Sequence, residues 1–143
     1  MSTSSVEAPS SADVTAAGPR RGSMVSPARA WLRGEGLAVL LLSVLLYANL
    51  GRGWLLFAAL LLAPDLSMIG YAAGPRVGAW AYNLVHSYAA PLLLAGAALL
   101  SGSGVHLALI WCAHIGMDRA LGYGLKLPTG FQDTHLGRIG RRG

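Results

Sequence analysis

The chain is short of charge. Asp, Glu, Lys and Arg make up only 12% of its 143 residues, about half the share of an ordinary soluble domain. The scarcity is concentrated. Between Arg76 and Asp118, 41 consecutive residues include none of the four. A membrane helix takes about 20 apolar residues, so this stretch holds two crossings and a turn. Cysteine is scarcer still: Cys112 stands alone, which excludes an intrachain disulfide framework and a CxxC zinc site. Acidic residues number 6 against 11 basic ones, for a net charge of +5. The basic residues flank apolar runs and form no aromatic-interleaved stripe, so the expected partner is the lipid bilayer and no nucleic acid.

Apolar residues are abundant, with a mean hydropathy of +0.51. Four apolar runs cover residues 36–50, 54–73, 77–100 and 105–122. Ser101-Gly102-Ser103-Gly104 is a breaker cluster between the last two, and Pro64-Asp65 interrupts the second. Trp31, Trp54, Tyr71 and Tyr123 fall near run ends, where amphipathic rings favour the headgroup layer. The expected fold is all-α: a polytopic membrane protein whose four transmembrane helices form a compact bundle. Residues 1–30, rich in Ser, Ala, Pro and Gly, read as a disordered tail with too little apolar surface to offset its ordering entropy. Arg20-Arg21 lies too far from the first run for a signal peptide, and Met24 is an alternative start. Residues 123–143 form a basic, Gly-rich segment that lies at the surface or folds back on the bundle.

Four crossings put both termini on one side. Arg20, Arg21, Arg29, Arg33, Arg76, Arg119, Lys126, Arg138, Arg141 and Arg142 then share that side, with only Arg52 opposite. The asymmetry predicts cytoplasmic termini. Gly70, Gly74 and Gly78 have the four-residue spacing of close-packed membrane helices, but Pro75 between them favours a turn over a dimer motif. A homo-oligomer remains open.

Ionisable groups inside apolar runs are costly and mark candidate sites. Asp65, His86, His114 and Asp118 are such groups. Counting inward from the cytoplasmic run ends, Asp65 lies about 9 Å deep, His86 about 15 Å, and His114 about 6 Å deeper than Asp118. All four fall in the cytoplasmic half. His114 and Asp118 share a face with Trp111, while Tyr82 and Asn83 share a face with His86 as further polar-site residues. Cys112 points away from His114, and His106 lies near the outer end. Two neutral imidazoles and two carboxylates suit a divalent metal such as zinc, manganese or iron. Asp133 and His135, in the segment after the last run, are candidate catalytic acid/base residues closing the same cavity. Simpler roles exist for each group. Asp65 can cap a segment after a kink, Asp118 can pair with Arg76 or Lys126, the histidines can link helices, and Asp133 and His135 can be solvated.

Pro64-Asp65-Leu-Ser-Met-Ile-Gly-Tyr71, Tyr82-Asn83-Leu-Val-His86, His114-Ile-Gly-Met-Asp118-Arg119, Gly122-Tyr-Gly-Leu-Lys126 and Phe131 through Gly137 together resemble one family. It is the bacterial membrane family called domain of unknown function 4260, and the likeness covers residues 33–140. The resemblance implies a small multi-pass protein of the bacterial cytoplasmic (inner) membrane, and brings no activity, substrate or cofactor. Pro64-Asp65 and Thr134-His135 also look like pieces of membrane-bound metal-dependent hydrolase-like proteins, although Ser67 stands where those carry a second Asp. Three functions follow as expectations: a metal-dependent membrane hydrolase acting on a lipid or small molecule; a small transporter or proton relay; or a non-catalytic scaffold or accessory subunit.

Overall fold

The computed structural model describes residues 27–140. The tail reading for residues 1–26, Arg20-Arg21, Met24, Arg141 and Arg142 lie outside the described residues. Helix α1 spans Pro27–Asn49 and α2 spans Trp54–Leu61, followed by a 3-10 helix over Ala63–Ala73. Then come α3 (Pro75–Val85), α4 (Ala89–Ser101) and α5 (Val105–Leu121). A small antiparallel hairpin, β1 (Asp133–Thr134) and β2 (Gly137–Arg138), closes the chain. Residues 27–30 are helical, which shortens the expected tail. Pro27 opens α1 with its ring-fixed φ where a missing N–H costs nothing, and Ala and Arg continue the helix.

Three stretches are long and apolar enough to cross a membrane: Pro27–Asn49, Trp54–Ala73 and Pro75–Ser101. Their outer faces carry bare apolar side chains, with Leu55 85%, Trp80 78% and Leu100 93% exposed. Apolar surface on that scale needs lipid rather than water around it. Helix α5, 17 residues long, occupies the middle and packs against α1, α2 and α4. Ala113, His114, Ile115 and Gly116 are buried in succession, so neighbours cover α5 on every side.

Small residues let α1 approach that closely. A side chain at Gly116 would place its first carbon 2.7 Å from the Leu40 nitrogen and 2.8 Å from the Gly36 carbonyl oxygen, and one at Gly36 would run into Arg119. Arg33 Nε ties the same seam, donating to Ala120 O at 2.8 Å. At the other end, Tyr47, Trp54 and Phe57 form an aromatic cluster with ring centroids 4.9–5.6 Å apart, and the Tyr47 hydroxyl donates to Gly53 O at 2.9 Å.

The third apolar run is not one helix. The expected stretch 77–100 breaks at His86–Tyr88, between α3 and α4. Pro91 has no N–H to offer Ser87 O, and its ring crowds that carbonyl, so the helix stops before it. The freed carbonyls find partners on α5: Trp111 Nε1 donates to Val85 O at 2.8 Å and Arg119 Nη2 to His86 O at 3.3 Å. The second run also changes winding, from α to 3-10, where Pro64 enters. Gly74, at φ 109°, reverses the chain into α3, and the Tyr71 ring lies flat against Gly78. These glycines serve a turn and a close approach within the chain.

The segment after α5 folds back on the bundle. Asn83 clamps the backbone of Lys126 from both sides: its Nδ2 donates to Lys126 O at 2.8 Å and its Oδ1 accepts from Lys126 N at 2.7 Å. Phe131 packs edge-on against Tyr71 at 5.3 Å, and Leu136 is buried.

Candidate metal centre

Four polar side chains from three elements converge at the centre of the fold. Asp65 comes from the first turn of the 3-10 helix, His86 from the break after α3, and His114 and Asp118 from one face of α5. One ligand atom from each lies within 4.8 Å of all the others. His86 Nε2 is 3.4 Å from Asp65 Oδ1 and 3.7 Å from Asp118 Oδ2. His114 Nε2 is 3.6 Å and 3.8 Å from the same two oxygens. The two Nε2 atoms are 3.1 Å apart.

These separations fit an ion. A tetrahedral cation about 2.0–2.1 Å from each ligand requires ligand-to-ligand edges of about 3.3–3.4 Å. The five separations above straddle that value. Both histidines are buried, whereas the Asp118 side chain is 13% and the Asp65 side chain 35% exposed. The centre is therefore closed on its imidazole side and open on its carboxylate side.

Surrounding groups fix the ligands' orientation. Tyr82 stacks on His86 with ring centroids 3.6 Å apart, and its hydroxyl donates to Asp118 Oδ2 at 3.0 Å. His86 Nδ1 lies 2.9 Å from the Tyr82 carbonyl oxygen, which can only accept. That bond places the His86 proton on Nδ1 and leaves Nε2 as a lone pair aimed at the centre. His114 Nδ1 is buried and has no partner among the described residues. Asp65 makes no capping bond to the start of its helix, and the polar partner of Asp118 is Tyr82 rather than Arg76 or Lys126.

A cavity of about 320 Å³ borders the carboxylate side, with Asp65, Asp118, Tyr82, Lys126, Met68 and Phe131 in its wall. Lys126 is 4% exposed. Its ammonium donates to Phe131 O at 2.9 Å and sits 3.9 Å from the Phe131 ring centroid and 5.1 Å from that of Tyr82. Burial pulls the Lys126 pKa below the usual lysine range, while Asp118 and Asp65 act to raise it. The sequence offers Lys126 as a same-side basic residue, as part of the Gly122–Lys126 motif and as a partner for Asp118, and its place near a basic terminus gives no sign of burial.

Of the sequence candidates, Asp65, His86, His114, Asp118 and Tyr82 meet here, and Asn83 turns to the Lys126 backbone. Asp133 and His135 lie in the returning segment, outside the four-ligand group. Asp133 Oδ2 accepts from Thr129 Oγ1 at 2.9 Å, and Asp133 Oδ1 lies 4.0 Å from Arg138 Nε. His135 Nδ1 accepts from Leu125 N–H at 2.8 Å. Cys112 takes no part in the centre.

A protein-family model described as Domain of unknown function (DUF4260) matches residues 29–139, and the chain belongs to that family. No curated protein and no solved structure matches it.

Proposed function

We propose, with membership of this family as the premise, that the protein is a metal-dependent enzyme of the membrane. Asp65, His86, His114 and Asp118 hold one divalent ion: zinc, manganese or iron. The observation that carries this reading is the five separations that involve an imidazole, from 3.1 to 3.8 Å, each imidazole offering Nε2. It also accounts for two carboxylates held next to two buried imidazoles with no lysine or arginine bonded to either carboxylate among the described residues. The ion would supply Lewis-acid polarisation of an oxygen or of a water, the chemistry of hydrolysis. Asp65 and Asp118 line the cavity, so a lipid or small-molecule substrate would enter past them. Asp133 and His135 enter this reading through the segment they hold over that cavity.

In this reading the chain crosses four times. Helix α5 supplies the fourth crossing: 17 residues reach about 25 Å, and its flanks are shielded by other helices. Four crossings and the basic residues near both ends support termini and a cavity mouth on the cytoplasmic side of a bacterial membrane.

The test is elemental analysis of protein purified in mild detergent without chelator or histidine tag. About one ion per chain, absent from folded His86→Ala and Asp118→Ala variants, is the expected result. A metal-free protein that takes up no added zinc, manganese or iron would overturn the reading. The His86–His114 contact at 3.1 Å favours a proton relay as the second reading, because one imidazole can hand a proton to the other and on to either carboxylate. Proton flux in liposomes from metal-free protein would select it.

A further inference from the structure

The cavity beside the metal centre combines groups with a single shared use. Its wall contains two carboxylates and one lysine. Without an ion the two carboxylates give it a net negative character that repels anions. A divalent ion on those carboxylates cancels their charge and leaves the Lys126 ammonium as the uncompensated group. The loaded cavity therefore attracts an anion, and one with several oxygens to share between an ion and an ammonium.

Lys126 is built for such a partner. It is 4% exposed, and both its backbone polar groups are held by Asn83, so its position is set independently of its side-chain charge. An ammonium has three N–H donors. One goes to Phe131 O at 2.9 Å, and the Phe131 and Tyr82 rings flank the group as cation–π surfaces. No carboxylate lies within ion-pair distance of it among the described residues. A lysine that served only to pin the returning segment would need no place in a cavity wall shared with both metal-side carboxylates. Of the other wall residues, Met68, Phe131 and Ile139 are apolar and Tyr123 adds a phenol, and the volume of about 320 Å³ suits a small organic group.

We propose that the substrate is a phosphate ester. Its phosphoryl oxygens bridge the metal ion and the Lys126 ammonium, and its organic part lies against Met68, Phe131 and Ile139. This rests on the metal reading above and specifies the substrate class for that site. Lysine is a common phosphate partner as a point charge, and a tetrahedral phosphoryl group presents oxygens in two directions at once.

The probe is inorganic phosphate, and the ion is Mn2+, whose paramagnetism shortens the phosphorus-31 relaxation of any phosphate bound beside it. Protein in phosphatidylcholine nanodiscs is first titrated with Mn2+ alone, then with phosphate. Wild type is expected to bind both. Lys126→Met is expected to bind the same amount of Mn2+ and to lose phosphate affinity about tenfold or more, the share of one charge-assisted hydrogen bond. Lys126→Arg, which keeps the charge, is expected to retain most of the affinity. Phosphate bound equally by wild type and Lys126→Met, or not bound by Mn2+-loaded wild type, overturns the proposal and leaves the metal centre standing. Failure to bind Mn2+ or any other divalent ion overturns both. Nanodiscs containing phosphatidic acid identify the source of the ester. Displacement of phosphate assigns the site to a lipid headgroup and no displacement assigns it to a water-borne ester, and either result supports the phosphoryl class.

Discussion

Tyr82 and Asp118, on different helices, are joined by a hydrogen bond of 3.0 Å from the phenol to Oδ2. The same tyrosine ring stacks on His86 at 3.6 Å. One side chain thus orients two of the four candidate ligands, and the two contacts can be separated. Tyr82→Phe removes the hydroxyl and keeps the ring. Metal affinity, measured by competition with a chelator, is expected to fall about tenfold, the low end of the loss seen for partners one step removed from a metal. An unchanged affinity would mean that Asp118 needs no help from Tyr82.

The Trp111 bond to Val85 O makes a second prediction. Among the described residues the indole is the one partner of the Val85 carbonyl, released where α3 ends. Trp111→Phe keeps most of the apolar ring and leaves that carbonyl unpaired. The cost is expected to be about 1–3 kcal/mol, read as a lower unfolding midpoint in detergent. The midpoint of the wild type would show that water or a neighbour takes over the carbonyl.

Two glycines predict opposite outcomes for one chemical change. Gly116→Ala places a methyl group 2.7 Å from the Leu40 nitrogen, against backbone that cannot swing aside. A loss of about 1–3 kcal/mol is expected from the forced separation of α1 and α5. Gly96, inside α4, has open space around its α-carbon. There the same substitution should stabilise the helix by about 0.5–1 kcal/mol. Equal effects at the two positions would contradict the tight α1–α5 seam.

His135 gives the returning segment a pH dependence. Its pKa is pushed below the ordinary histidine value by burial, helped by Arg119. A lowered folded-state value means that the neutral ring is the form that fits, with Nδ1 accepting from Leu125 N–H. Its contribution to docking is fully present above the unfolded value of about 6.5. It is lost as pH falls through the lower folded value. The protection of the Leu125 amide against hydrogen exchange, corrected for the intrinsic slowing of exchange in acid, should fall on acidification from neutral pH, and a His135→Gln variant should lack that transition.

The site was largely legible in the sequence because its members stand out against their surroundings. Asp65, His86, His114 and Asp118 are ionisable groups in apolar runs, and helical spacing alone aligned His114 with Asp118 and His86 with Tyr82. Lys126 is hidden for the opposite reason: a lysine among glycines near a basic terminus looks solvated, and the contacts that hold it inside, the Asn83 clamp and Phe131 O, are made by residues that spacing does not link to it. The break after Val85 was hidden by unbroken hydropathy from Val77 to Leu100, although Pro91 marked it. The hairpin of Asp133–Arg138 has two-residue strands, too short for any alternating pattern to register.

The 3-10 winding of Ala63–Ala73 also sets a length. At about 2.0 Å per residue, its 11 residues extend about 22 Å, some 5–6 Å beyond the same residues wound as α-helix. Together with the 8 residues of α2, the second candidate span reaches about 34 Å, enough for a hydrocarbon core of about 30 Å that an all-α segment would only just match. The tighter coil thus acts as a spacer. Relaxing it would shorten the crossing by about one α-helical turn and draw the Asp65 carboxylate along the membrane normal, away from partners on helices whose length had not changed.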